Sequence, residues 1–202
     1  AVVGGGPSGN FMRIANGGVA NQQGTVAFYA TRSSPFNTTR ISFDFRLGGA
    51  GDTADGLGFA LLNTANFGVT GNPGFFSEQA NLTNSLGIGI DVHDNGGGDV
   101  SQDSISLHYN NVELSQVDLT GVLDLENNLF NRMIVDIVPQ DGGGSNVSVS
   151  IIEDIFGAAT EVPVYADEFV GGLDPYAGRL AFSGRTGGLD GNHDIDNVFA
   201  NF

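Results

Sequence analysis

The sequence predicts an all-β fold: a sandwich of two antiparallel sheets with jelly-roll connections, in one domain over residues 1–202. Short apolar runs of strand length recur along the chain, and clusters of Gly, Asn, Asp and Ser separate them. No linker or change in composition divides the chain. Its length of 202 residues is sufficient to bury one sizeable core.

Ten segments have the length and apolar character of strands: 11–15, 25–31, 41–47, 57–62, 86–92, 104–109, 133–138, 147–152, 179–183 and 194–202. The clearest is ISFDFRL, in which Ile41, Phe43 and Phe45 share one face and polar residues the other, as in a half-buried antiparallel strand. The sequence DGGGS at 141–145 predicts a hairpin loop. GVLDLENNLFN at 121–131 is the best helix candidate.

The charge of the chain excludes several classes of partner. Asp and Glu total 23, against seven basic residues that are all Arg, and the formal net charge is −16. Such a charge repels phosphate backbones and anionic membrane surfaces and attracts divalent cations, so we expect no nucleic-acid partner. No apolar run approaches the roughly 20 residues of a membrane span, and we expect no membrane insertion. The absence of Cys excludes disulfides and zinc–thiolate chemistry.

The common catalytic motifs are missing from the sequence. It contains no Cys nucleophile, no G-x-S-x-G elbow, no H-E-x-x-H motif and no phosphate-binding loop. A sandwich glycosidase needs two carboxylates about 5–5.5 Å or ~6.5–9.5 Å apart, and Gly89 stands two residues before the strand-end Asp91 where an acidic partner would be. We therefore expect a protein that is not an enzyme, with a glycosidase as a minor alternative.

The stretch IDVHDNGGGDVSQD, residues 90–103, combines an apolar strand end with several Asp and Asn side chains and three glycines. Calcium binds six to eight oxygens from carboxylates, amides, carbonyls and waters. A strand that turns at glycines can bend several such oxygens around one ion. The alternative is a solvated turn in which Asp and Asn side chains accept hydrogen bonds from nearby backbone.

Four stretches, in order along nearly the whole chain, carry a family resemblance. They are GTVAFYA (24–30), ISFDFRLGGAGDTADGLGFALLN (41–63), LGIGIDVHDN (86–95) and YAGRLAFSGRTGGLDGNHDIDNVFANF (176–202). Together they resemble the L-type lectins, which comprise legume lectins such as concanavalin A and the cargo lectins of the animal secretory pathway. Residues 186–195 are similar to the T-G-x-L-x-x-N-H-D-I sequence of the animal members. The resemblance implies the concanavalin A-like jelly roll, and we expect a bacterial relative.

The resemblance implies a calcium ion that organises a sugar site. Its ligands would be Asp91, the carbonyl of His93, Asn95 and a later Asp. Asp99 best fits the plant spacing for that fourth ligand, while Asp103 and Asp118 stay open. Plant members bind a transition metal through a Glu at the position of Gly89, so no such metal is expected here.

The resemblance also implies the sugar-binding residues. Asp55 would follow a cis peptide bond and accept hydrogen bonds from two sugar hydroxyls, the alternative being an ordinary Asp-Gly turn. Asn95 would donate its amide to the sugar, and backbone N–H groups of the last loop would contact it. These loop residues are Gly187, Gly188 and Leu189, and Gly74 is the candidate for a further loop glycine. Animal members carry an acidic residue at the Gly188 position, so specificity is expected to differ.

A second acidic segment, DGNHDID at 190–196, places oxygens at alternate residues of the last strand. It could hold a second, structural calcium. The favoured interpretation is that these are outward residues of an edge strand.

The leading hypothesis is a secreted, calcium-dependent module that binds a glycan or polysaccharide without catalysis. It would act as a homodimer or as part of a larger multidomain protein, because a shallow sugar site binds weakly. The alternative is a structural or adhesive module of a larger secreted protein, with calcium only for rigidity. That alternative predicts no open cleft at Asp55 and residues 187–189.

Overall fold

The computed structural model describes residues 1–49, 53–96, 100–157 and 160–202. Two antiparallel sheets form nearly all of its regular structure, which confirms the predicted all-β sandwich. A four-residue helix, α1 (Thr64–Phe67), follows β5. The strands are β1 (Val2–Gly6), β2 (Gly9–Ala15), β3 (Gln23–Ala27), β4 (Thr39–Gly48), β5 (Gly56–Asn63), β6 (Leu86–Asp91), β7 (Ser104–Tyr109), β8 (Val112–Asp118), β9 (Asn131–Pro139), β10 (Ser145–Ile152), β11 (Glu161–Val170), β12 (Gly178–Arg185) and β13 (Asn192–Asn201).

The strand order differs from the chain order in both sheets, because the chain passes repeatedly from one sheet to the other. The seven-stranded sheet has the order β1-β2-β13-β4-β9-β10-β11, and the six-stranded sheet has the order β3-β12-β5-β6-β7-β8. The predicted hairpin loop is confirmed: β9 and β10 pair antiparallel, and Gln140 N donates to Gly144 O at 3.0 Å.

The main core lies between the two sheets and is built by alternate residues of their strands. In β4, Ile41, Phe43 and Phe45 are fully buried, as the period-two pattern predicts. The ring of Phe43 lies 4.8 Å from that of Phe182 in β12 and 5.1 Å from that of Phe59 in β5, measured between centroids. These aromatic contacts join the two sheets.

The other face of β4 is also covered, by ion pairs. Asp44 is buried and receives two hydrogen bonds from Arg132, at 2.6 and 3.0 Å. The buried Asp194 of β13 is held by both Arg13 and Arg46, at 2.7 and 2.6 Å. A buried carboxylate needs such partners to offset the loss of its hydration.

β13 lies in the interior of its sheet, between β2 and β4, so the prediction of an edge strand for residues 190–196 is wrong. Besides Asp194 and its arginines, Asp196 accepts from Ser8 N at 2.9 Å, and Asp190 accepts from Gly18 N at 2.6 Å. Protein groups therefore engage the carboxylates that a second calcium would need.

All ten predicted strands are present, although their ends shift and β3 stops at Ala27 instead of residue 31. The helix predicted at 121–131 is wrong. The segment forms turns, in which Glu126 N donates to the side chain of Asp124 and Leu129 N to that of Asn127. Such local side-chain bonds compete with helical ones. The prediction missed β1, β8 and β11.

A covering segment, residues 76–82, lies on the outer face of the six-stranded sheet. Its Phe76, Ala80 and Leu82 form a second apolar cluster with residues of β5 and β12. The approach requires glycine in the sheet: a Cβ on Gly58 would lie 2.4 Å from Ser77 O, and one on Gly87 would lie 2.3 Å from Ala80 O. The covering segment places Glu78 over the same end of the sheet as Asp91.

Within the described part of the chain, no helix has the length and apolar character that crossing a membrane requires.

Candidate functional site

Strand register brings three loops together at one end of the six-stranded sheet. Gly56, the first residue of β5, pairs with Asp91 at the end of β6 and with Arg185 at the end of β12. The loops that enter β5 and leave β6 and β12 therefore meet at this end. Of the predicted sugar and calcium residues that the structure describes, these loops exclude Gly74 and contain Asp55, Asp91, His93, Asn95, Gly187, Gly188 and Leu189.

Asp55 lies at the centre of the three loops. The Ala54–Asp55 peptide bond is cis, as the resemblance implies. Asp55 N donates to Arg185 O at 2.9 Å, and Asp55 O accepts from Val92 N at 3.0 Å, so backbone bonds tie it to both neighbouring loops. A Cβ on Gly187 would lie 3.3 Å from each Asp55 carboxylate oxygen. The carboxylate therefore faces the backbone of the last loop.

His193 supports the Asp55 loop from the core. It is fully buried, and its Nε2 lies 3.2 Å from Ala54 O. Burial lowers the pKa of His193 to about 4, so the ring is neutral at pH 7. A neutral ring with a carbonyl beside Nε2 carries its proton there and donates to Ala54 O.

The candidate calcium ligands lie in one turn after β6. Asp91 is buried, and its Oδ1 accepts from His93 N at 3.0 Å. The side-chain amide of Asn95 donates to His93 O at 3.2 Å. His93 is therefore bonded through its N–H to the Asp91 carboxylate and through its carbonyl to the Asn95 amide, and the oxygens of all three residues are of the kinds that calcium prefers.

The chemistry of this donor set fits calcium, with waters and a further ligand completing the shell. No group of three or more His, Cys, Asp or Glu side chains that could hold a metal occurs among the described residues. The turn after β6 would not meet that criterion in any case. Its candidate ligands are one carboxylate, one backbone carbonyl and one side-chain amide.

The fourth ligand is not identified. Asp99, the first choice, lies outside the described residues. Asp103 accepts from Leu125 N at 3.1 Å, and burial raises its pKa. Asp118 pairs in register with Ser104, and Ser104 pairs with Asp91. The backbone of Asp118 therefore lies two strands away from that of Asp91, at about 10 Å.

The last loop presents Gly187, Gly188 and Leu189. Gly187 O accepts from Asn21 N at 2.9 Å, whereas a Cβ on Gly188 would meet open space. Leu189 lines a cavity of about 300 Å³ together with His93, Asp94 and Gln102. The cavity therefore joins the last loop to the candidate calcium turn.

Gly74 is not joined to this group by any hydrogen bond within the described part of the chain. Its N–H donates to the side chain of Asn72 at 2.9 Å, and its φ of +93° suits glycine. The neighbouring residue that does reach the site is Glu78, four positions later.

Sequence reasoning missed Glu78 and Arg185. The Arg185 Nε and Nη2 donate to the Glu78 carboxylate at 2.9 and 2.8 Å, and Nε lies 3.2 Å from Asp55 Oδ2. Burial raises the pKa of Glu78, and the bonds from Arg185 oppose that rise. The sequence contains one relevant signal: glycines at alternate positions of two strands, Gly56 and Gly58 in one and Gly87 and Gly89 in the other. Such glycines indicate that another segment of backbone lies close to the sheet.

Similar folds occur among solved structures. The VIP36 exoplasmic/lumenal domain in its Ca²⁺/Man3GlcNAc-bound form has a TM-score of 0.63 and 15% identity, over 94% of this chain and 79% of that one. Peanut lectin has a TM-score of 0.66 and 16% identity, over 98% and 88%. Lectin I-B4 from Griffonia simplicifolia has a TM-score of 0.63 and 13% identity, over 100% and 91%.

These similarities define the class of fold: the chain has the concanavalin A-like jelly roll of the L-type lectins, as its motifs predict. No protein-family model and no curated protein matches the sequence.

Proposed function

We propose that this protein is a secreted, calcium-dependent carbohydrate-binding module without catalytic activity, and that its ligand is a glycan or polysaccharide. One observation carries the proposal: the Asp55 carboxylate faces the Gly187 backbone, and the backbone of Asp55 is bonded to the loop that begins with Asp91. The fold supports it, since VIP36 has a similar fold and a solved form with Ca²⁺ and Man3GlcNAc.

The residues of the site suit sugar hydroxyls. A carboxylate has two acceptor oxygens, so Asp55 could accept one hydrogen bond from each of two hydroxyls. Asn95 would donate through its amide, and residues 187–189 through their N–H groups. A few such bonds in a shallow cavity give weak affinity for a single sugar, on the order of millimolar. Several copies or a larger host protein would raise the avidity.

Calcium would be held by Asp91, the carbonyl of His93 and Asn95. When bound, the ion supplies a fixed positive charge that orders the turn. Asn95 would then direct its oxygen to the ion and its NH₂ to the sugar, a division of roles that a primary amide allows.

The structure brings two carboxylates, Asp55 and Glu78, to the same arginine, which the sequence did not indicate. We assign them no catalytic role. The Glu78 side chain is 2% exposed and both its oxygens accept from Arg185, so a glycosidic oxygen has no access to it. Hydrolysis also requires one carboxyl group to reach the glycosidic oxygen and donate a proton to it.

A structural or adhesive module is the second candidate. The contact between Arg185 and Asp55 favours it, because a protein group already engages the carboxylate. The cavity of about 300 Å³ favours the sugar-binding function at the last loop, because Leu189 lines it together with His93, Asp94 and Gln102; Asp55 is not among its lining residues.

Glycan-array binding of the purified protein, with calcium and again with a chelator, tests the proposal. Binding that requires calcium and is lost in Asp55→Ala is expected. The absence of binding in both conditions, with calcium still raising the melting temperature, would support the structural module instead.

A further inference from the structure

The arginine beside Asp55 is fixed in place by a buried carboxylate. Glu78 lies in the covering segment with its side chain 2% exposed, and it receives hydrogen bonds from Nε and Nη2 of Arg185. Removing this guanidinium from Glu78 would leave a buried charge unpaired, which is strongly unfavourable. Arg185 therefore has little freedom to leave the site.

The packing of the covering segment makes that arrangement rigid. A Cβ on Gly56 would lie 3.1 Å from the Glu78 Cβ, and one on Gly89 would lie 2.6 Å from Glu78 O. Glycine at both positions lets the Glu78 backbone lie directly on β5 and β6. The guanidinium is then aimed at the end of the sheet where Asp55 lies.

One nitrogen of Arg185 remains available at the surface. The Arg185 side chain is 42% exposed, and its Nη1 forms no hydrogen bond to any residue that the structure describes. Nε lies 3.2 Å from Asp55 Oδ2, so the guanidinium group that carries Nη1 lies next to the Asp55 acceptor. A saccharide presents hydroxyl and ring oxygens that match a neighbouring donor and acceptor.

The charges at this position favour a neutral ligand. Asp55, Glu78, Asp91 and Asp94 carry four formal negative charges, Arg185 carries one positive charge, and a bound calcium would add two more, so the formal total is −1. A carboxylated sugar would gain no net attraction there and would approach a chain of net charge −16.

We propose that Arg185 is a ligand-contacting residue of the Asp55 site: its Nη1 donates to an oxygen of a neutral saccharide whose hydroxyls donate to Asp55. This inference rests on the proposed function and adds to it a specificity-determining residue and a class of ligand.

The test measures saccharide affinity of the calcium-loaded protein and of Arg185→Lys. Lys offers one ammonium group, which cannot hold Glu78 and also donate at the Nη1 position. The affinity is expected to fall about tenfold or more. The calcium-induced rise in melting temperature is expected to stay unchanged, which a merely structural role would not predict.

Two further variants complete the design. The double variant Glu78→Gln, Arg185→Gln removes the buried charge of Glu78 together with its partner and is expected to lose affinity to the same extent. Arg40→Lys makes the same change at an exposed pair with Asp136 in the other sheet and is expected to bind as the wild type does.

Neutral hexoses and the corresponding uronates are the paired probes, and the wild type is expected to prefer the neutral member.

The outcomes separate the two proposals. If Asp55→Ala abolishes binding while Arg185→Lys and the double variant bind at full strength, the role of Arg185 is overturned and the proposed function stands. A wild-type preference for uronates would overturn the neutral-ligand class alone. If the wild type binds no saccharide with calcium present, both proposals fail.

Discussion

At the scale of single residues, Gly187 and Gly188 form a matched pair for testing the contact with Asp55. An added Cβ would lie 3.3 Å from both Asp55 oxygens at Gly187 and in open space at Gly188. Neither has the positive φ that disfavours alanine, and alanine keeps the N–H group. Gly187→Ala should displace the carboxylate and weaken saccharide binding about fivefold, the equivalent of one hydrogen bond.

Titration calorimetry of the two calcium-loaded variants checks this prediction, with Gly188→Ala expected to bind within about twofold of the wild type. Both should unfold within about 0.5 kcal/mol of the wild type, as surface substitutions do. Equal affinities for the two variants would mean that the sugar does not depend on the position of the Asp55 carboxylate.

The site was predictable from sequence only in part, and its individual residues show why. Asp55 and Asp91 stand at strand ends in recognisable motifs, and antiparallel pairing brings those ends together. Glu78 stands alone in a loop segment, and Arg185 is one of seven scattered arginines. Their contact spans 107 residues and depends on how the covering segment packs, which no local pattern records.

At the scale of elements, the apolar pattern predicted all the interior strands and one edge strand, β3, and missed the other edge strands. The three missed strands, β1, β8 and β11, are three of the four sheet edges. An edge strand packs fewer side chains against neighbours; in β8, for example, Val112 and Leu114 are exposed. The apolar residues of the predicted helix, Leu123 and Leu125, are buried in the core although the segment forms turns.

The covering segment depends on the glycines beneath it. In Gly87→Ala, the new Cβ would lie 2.3 Å from Ala80 O and 2.8 Å from the Ala80 Cβ, so the segment must move away. We expect a loss of about 2–3 kcal/mol in the free energy of unfolding, as for overpacking in a core. Saccharide affinity should fall as well, because Glu78 would no longer hold Arg185 in place.

Urea unfolding measures this effect, and Gly4→Ala is the control in a strand. A Cβ on Gly4, in the edge strand β1, would lie 3.7 Å from the side chain of Asn10, an ordinary contact. Its cost should be within about 0.5 kcal/mol. Similar losses for both variants would show that the covering segment is not closely packed on the sheet.

At the scale of the whole molecule, the arginines are already engaged while the acidic groups are in large excess. Carboxylates pair with Arg13, Arg40, Arg46, Arg132 and Arg185. Backbone carbonyls accept from Arg32 and Arg179. With 23 acidic residues in the chain, the folded protein carries strong self-repulsion. Any cation lowers that repulsion by screening, so a stabilising effect of calcium must be separated from a general effect of charge.

Calcium, compared with magnesium at equal concentration, separates the two effects. Both screen charge alike, but magnesium demands near-ideal octahedral geometry and gives up its waters reluctantly, whereas calcium accepts the irregular oxygens of the 91–95 turn.

Calcium at a hundred times its dissociation constant stabilises the folded protein by about 2.7 kcal/mol, which for a chain of this length raises the melting temperature by about 5–10 °C. Differential scanning calorimetry should show this rise in the wild type and its loss in Asp91→Ala, with magnesium giving only the smaller rise that screening produces in both. Equal rises for the two ions would mean that calcium acts through surface charge and that the turn after β6 is a solvated loop.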